Sequence, residues 1–91
     1  MSTYHLNDFD SEKRPPQSVS FYEKVEDGTD DGGTTIEEML RVSIARLSEL
    51  NSRFGCRENS VAITKMQEAL MWLEERTKDR VKRGVEGKHV A

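Results

Sequence analysis

From Arg57 to Arg83 the chain runs RENSVAITKMQEALMWLEERTKDRVKR, 27 residues without glycine or proline. Apolar residues recur there at spacings of three and four: Ala62 or Ile63, Met66, Ala69 or Leu70, Leu73, and more weakly Thr77 to Val81. That spacing predicts one amphipathic helix, about 40 Å long at about 1.5 Å of rise per residue. A lone helix cannot bury its own stripe, so this one needs a partner. Its last third is crowded with cations, Arg76, Lys78, Arg80, Lys82 and Arg83, which must face solvent or something anionic.

The nearest partner lies just upstream. Thr34 with Glu37, and Thr35 with Glu38, both fit a capping box, in which a threonine hydroxyl takes a free amide of the first turn and the glutamate reaches back. From there Ile36, Leu40, Ile44, Leu47, Leu50 or Asn51, and Phe54 form a second stripe, and Gly55 can take the left-handed conformation that ends a helix. Only two or three residues separate the two helices, which predicts an antiparallel pair. The longer second helix should overhang the first at its basic end.

With 91 residues, 34% of them apolar, the chain can build one small core and no more. Mean hydropathy is −0.78, lean for a monomer of this size. Such chains usually need a disulfide, a metal or an oligomer. The single Cys56 allows no intrachain disulfide, and His5 and His89 lie at opposite ends with no metal-ligand spacing around them. Oligomerisation is the expected remedy. The outward stripe of the second helix points the same way, because Val61, Met71 and Trp72 have nothing to pack against inside a two-helix hairpin. The expected fold is all-α: an antiparallel two-helix hairpin over 34–91, preceded by a short extended segment and acidic turn over 19–33 and a flexible arm over 1–18, and assembled into a homo-oligomeric bundle. No apolar run approaches the roughly 18 residues that would span a bilayer, and a cytosolic protein is expected.

The net charge of −3 conceals a polarity. Residues 1–34 carry three Lys/Arg against eight Asp/Glu, residues 35–75 carry five against seven, and residues 76–91 carry six against two. The overall balance argues against a duplex nucleic-acid binder, whereas the local excess at the end suits a small anion.

Constellations for catalysis are wanting. Glu37 with Glu38 and Glu74 with Glu75 are adjacent pairs that diverge on a helix, and neither histidine has a nucleophile beside it. There is no glycine-rich phosphate loop. Three groups remain as candidate binding residues, each with a plain structural alternative. Arg76, Arg80 and Arg83 share one helical face, either as a solvated helix end that complements the dipole or as an anion site. Arg57, Asn59, Thr64 and Lys65 join cations, an amide and a hydroxyl near the start of the second helix, which suits a phosphate and a base edge; alternatively Asn59 or Ser60 is the N-cap and the rest are exposed. Phe21 and Tyr22, in Val19-Ser20-Phe21-Tyr22-Glu23-Lys24-Val25, are either an apolar clip or a π-face for a base.

The run Cys56-Arg57-Glu58-Asn59, then Ala62 through Leu73, Arg76-Thr77, Arg80, Arg83-Gly84-Val85-Glu86-Gly87 and His89, resembles the helical hairpin of the bacteriophage anti-CBASS and Thoeris anti-defence family. The likeness is close over 56–89 and looser over 34–55, and Val19-Ser20-Phe21 and Gly33 are similar to a short aromatic segment and glycine turn ahead of that hairpin. The resemblance implies a sponge that holds cyclic di- or trinucleotide immune messengers between protomers, commonly as a hexamer, without cleaving them, in the cytoplasm of an infected bacterium. No cofactor and no metal are expected. Carried onto this sequence, it places Thr64, Asn59 and Lys65 in polar pockets where subunits meet, Phe21 or Tyr22 on a base, and the distal arginines against phosphate. The acidic linker before the first helix is longer than the family pattern. The alternative function is a helical phage assembly or protein-interaction module with no small-molecule ligand.

Overall fold

The structure, a computed structural model, describes residues 2–23 and 32–84. Expectations for Lys24, Val25, the acidic stretch 26–31 and the tail 85–91 lie outside the described residues. The chain divides into two compact units, Met1–Thr35 and Ile36–Ala91.

The second unit is the expected helical hairpin. Helix α1 spans Ile36–Arg53 and helix α2 spans Arg57–Lys82. On α1 the partly buried residues are Glu37, Met39, Leu40, Ile44, Leu47, Leu50 and Asn51; on α2 they are Asn59, Ala62, Ile63, Met66, Leu70, Leu73, Thr77 and Arg80. Taking 59, 63, 66, 70, 73, 77 and 80 in turn, the steps alternate four and three, the repeat of a coiled-coil seam. The seam settles the open choices in the stripe: Leu70 faces inward and Ala69 outward, and Arg80 rather than Val81 closes the inner row. Phe54, expected on the α1 stripe, lies beyond the last helical turn and is 81% exposed. At 26 residues against 18, α2 is longer by about 12 Å of helix.

The connection is tied by one side chain. Asn51 Oδ1 accepts from the Cys56 amide at 3.1 Å, and its Nδ2 donates to Ser60 Oγ at 3.2 Å. Two expectations are corrected here. Gly55 is not in the left-handed region; its role is close approach, since a Cβ there would lie 3.1 Å from the Asn51 carbonyl oxygen. The N-cap of α2 is Cys56, whose Sγ accepts from the Asn59 amide at 3.4 Å, so neither Asn59 nor Ser60 caps the helix. At the start of α1, the first helical residue Ile36 leaves Thr35 in the capping position with Glu38 three residues on, because the Thr34 backbone is engaged elsewhere.

That engagement belongs to the first unit, where the structure departs from an all-α fold. Strands β1 (Ser2–Leu6) and β2 (Gln17–Phe21) form an antiparallel pair with Ser2 opposite Phe21 and Leu6 opposite Gln17. The stretch 1–18, expected as a flexible arm, thus holds a whole strand and the start of another. Alternation of side chains puts Tyr4, Leu6, Val19 and Phe21 on one face, with the Tyr4 and Phe21 rings edge-on, centroids 5.6 Å apart at 80°. The other face is polar and internally bonded, Thr3 Oγ1 to Ser20 Oγ at 3.0 Å and Ser18 Oγ to His5 Nδ1 at 3.2 Å. Ser2 Oγ donates to Glu23. The intervening loop is organised by Asp8, whose Oδ2 accepts from the Asp10 amide at 2.9 Å and from Arg14 Nε at 2.8 Å. Thr34 then bridges Phe21 in parallel, and Gly33, at φ +109, passes so close that a Cβ would stand 2.8 Å from the Phe21 carbonyl carbon.

Candidate ligand face on the second helix

Nothing in either unit is buried among the described residues, so every candidate side chain stands on a surface. What separates the candidates is which surface of α2 each occupies. Spaced by four, three, four and three, Arg57, Val61, Thr64, Glu68 and Met71 run along the back, away from the seam. Lys65, Trp72, Arg76 and Arg83, at steps of seven, four and seven, form a flank beside it. Both rows are exposed, Trp72 to 63% and Met71 to 54%.

Two expected ligand residues do not join them. Asn59 is partly buried on the seam, about 140° around the helix from Thr64 at about 100° per residue. Its backbone serves the Cys56 cap. Arg80 is also partly buried on the inner row, although it stays on the same side of α2 as Arg76 and Arg83. Thr64 is exposed, and its hydroxyl donates to the Ser60 carbonyl at 3.1 Å, which leaves its oxygen free to accept. That internal bond is how a β-branched threonine sits in the helix without an outside partner.

The charges are unevenly paired. On α1, Arg41, Arg46 and Arg53 each meet a glutamate, Arg41 with Glu38 at 3.5 Å and, across the hairpin, with Glu74 at 3.9 Å, Arg46 and Arg53 with Glu49 at 3.5 and 2.9 Å. On α2, Arg83 pairs with Asp79 at 2.9 Å, while Arg57, Lys65, Arg76 and Arg80 have no ion pair among the described residues. Exposed pairs of this kind contribute little to stability, and Arg80, in the last turn of α2, also complements the helix dipole.

The separation along α2 decides what one chain can do. Lys65 and Arg76 are about 16 Å apart along the axis, and Arg57 and Arg83 about 39 Å. A single hairpin therefore has two groups of candidates, one toward each end of α2. Trp72, which the sequence places on the outward stripe as a protein contact, lies seven residues from Lys65 and four from Arg76 and so belongs to the cationic flank as well.

The aromatic candidates sit in the other unit. Phe21 is partly buried and its ring is taken edge-on by Tyr4. Tyr22 has the freer ring, at 43% exposure, on a backbone held by its amide's bond to the Thr34 carbonyl at 2.8 Å.

Comparison with known proteins covers most of this framework. Residues 19–78 match the family model "Acb2/Tad1, hairpin domain". Over 58 residues, 63% of the chain, the sequence is 53% identical to "Thoeris anti-defense 1" of Bacillus phage SBSphiJ7. The chain matches only 41% of that relative's length. The matched region takes in β2 from Val19, Gly33, α1 and α2 as far as Lys78; β1 and its loop lie outside it.

Proposed function

Since the chain belongs to the Acb2/Tad1 hairpin family of phage anti-defence proteins, we propose that it binds a cyclic di- or trinucleotide immune messenger, or a related cyclic nucleotide, and withholds it without cleaving it. Its place of action is the cytoplasm of the infected bacterium; no helix among the described residues is long and apolar enough to cross a membrane.

The observation that carries the reading is the flank of α2, where Trp72 lies exposed between Lys65 and Arg76, two cations without an ion pair among the described residues. A cyclic nucleotide offers phosphates and flat bases, and a plane beside unpaired cations answers both. A base stacked on such a ring contributes about 1–3 kcal/mol. Useful withholding at sub-micromolar messenger needs about −10 to −12 kcal/mol. One exposed helix face cannot supply that, so the site is walled by more than one copy, in a homo-oligomer for which a hexamer is the favoured size. Assembly also serves the fold, since Val61, Met71 and Trp72 remain exposed in the single chain. The same exposure suits the second reading, an assembly module with no small-molecule ligand.

In the sponge reading each residue binds and none reacts: arginines and lysines balance phosphate charge, Thr64 accepts a hydrogen bond, and Tyr22 or Phe21 offers a further ring. Isothermal titration against a panel of cyclic di- and trinucleotides tests this. Sub-micromolar binding with intact nucleotide recovered after denaturation is the expected result. A folded oligomer silent across the panel would favour the assembly module, and hydrolysed nucleotide would overturn the non-enzymatic claim.

A further inference from the structure

We propose that the outer edge of β1 pairs with the β1 edge of a second copy of this chain, making a four-stranded antiparallel sheet across a two-fold axis. The sheet has two strands in the order β1–β2, so each strand has one side not covered by the other. On β2 that side is closed at its end by Thr34, whose amide donates to the Ser20 carbonyl at 2.9 Å and whose carbonyl accepts from Tyr22 at 2.8 Å. Gly33 is pressed against the same backbone. Among the described residues, the edge without such a backbone partner is β1.

That edge has none of the usual guards against pairing. Its five residues, Ser-Thr-Tyr-His-Leu, include no lysine, no carboxylate and no proline, and the register with β2 runs one-to-one through five pairs without a bulge. Pro15 and Pro16 precede β2 and leave β1 untouched. Two copies therefore meet without like-charge repulsion, which a strand of charged residues would not allow.

The strand is also self-complementary. With the axis at Tyr4, Ser2 stands opposite Leu6 of the second copy and Thr3 opposite His5, and the side-chain alternation is kept. Tyr4, Leu6, Val19 and Phe21 of both copies then form one continuous apolar face. A two-stranded sheet is marginal alone in water, whereas four strands with an apolar face are not. In the single chain Tyr4 is 59% exposed and Leu6 44%, so this sheet is far from sealed. A contact of this kind is isologous, and any closed assembly built with it holds an even number of chains.

The proposal does not rest on nucleotide binding, and its test uses the full chain without ligand. In a Cys56→Ser background, Tyr4→Cys should cross-link on mild oxidation into a dimer that thiol reductant releases, since a residue on the axis faces its own copy at about 4.5–5.5 Å. Thr3→Cys alone should cross-link at least tenfold more slowly, its own copy being displaced by two residues. Because Tyr4 also contacts Phe21, a second arm leaves it in place: chains with Thr3→Cys mixed with chains with His5→Cys should form heterodimers at least tenfold faster than either forms homodimers. Failure of both arms, or equal rates at all positions, would overturn the pairing and leave the edge to another segment of the chain or to a different protein.

Discussion

In the helical hairpin, Leu40, Ile44, Leu47, Met66, Leu70 and Leu73 meet along one seam, and long-range order comes from a repeated apolar contact. The β-hairpin has no comparable seam. It is held by ring contact on one face, hydroxyl and imidazole bonds on the other, and a carboxylate that gathers its loop. Neither region buries a residue among those described, but the shortfall differs in kind. The helices are short of cover on the back and flank of α2, where Arg57, Lys65 and Arg76 have no ion pair among the described residues; the strands are short of cover on an uncharged edge. One region leaves cations and apolar side chains exposed together, the other an uncharged strand edge.

The sharpest way to break that contrast is to cut into the seam. Leu70→Ala removes an inward side chain at the middle of α2, and partial exposure puts its cost near the low end of such truncations, about 2 kcal/mol. Thermal melting followed by helical circular dichroism should shift down strongly, whereas Tyr4→Ala, which removes one ring contact of about 0.5–1.5 kcal/mol, should leave the helical signal nearly unchanged. Equal loss from both variants would mean that the two units fold as one.

The seam and the flank can be set against each other in binding. Arg76→Ala should weaken cyclic-nucleotide binding by about 1.5–3 kcal/mol, the range for a charge-assisted bond, with melting temperature unchanged. Trp72→Ala should lower both affinity and oligomer mass, because it is the one side chain placed in the cationic flank and on the assembly surface together. If Trp72→Ala lowers only the mass, the indole is a protein contact and the base lies elsewhere.

A smaller effect is expected at the connection. Asn51→Ala removes two hydrogen bonds that hold the last turn of α1 to the start of α2. Both are exposed, so about 1 kcal/mol is expected, read as a lower denaturant midpoint with an unchanged slope.

The helical half was legible because a 3.6-residue period announces itself over many turns. Both helix spans followed from Ile36 onward and from Arg57 onward, within the usual one or two residues at their ends. The β-hairpin was not legible for the opposite reason. Ser2–Leu6 offers only two apolar residues in five, Tyr4 and Leu6, and ten residues separate the strands, well beyond the loops that mark a hairpin in sequence. The loop closes through Asp8 and Arg14, a tertiary contact that no local pattern reports. For the candidate site, spacing found the polar residues but not which way they turn: Asn59 and Arg80 lie on the inner row because the seam continues beyond its apolar residues at both ends. That continuation uses polar residues, so hydropathy does not show it.

The least disturbance, and the one confined to the β-hairpin, should come from pH. The Asp10 amide first, and the Arg14 guanidinium second, hold the Asp8 carboxyl below its ordinary value of 3.8. A carboxylate lowered in the folded state contributes stability that is fully present above its unfolded value and is lost as pH falls through its folded value. The loop should therefore keep its order through pH 4 and loosen only below about 3.8, seen as faster exchange of the Asp10 and Arg14 amides. Asp8→Asn keeps an acceptor for the Asp10 amide and removes the charge, so it should flatten that dependence while amide protection in α2 is unchanged. A loop midpoint above the ordinary carboxylate value, or one shared with the helices, would show that Asp8 does not hold the loop by itself.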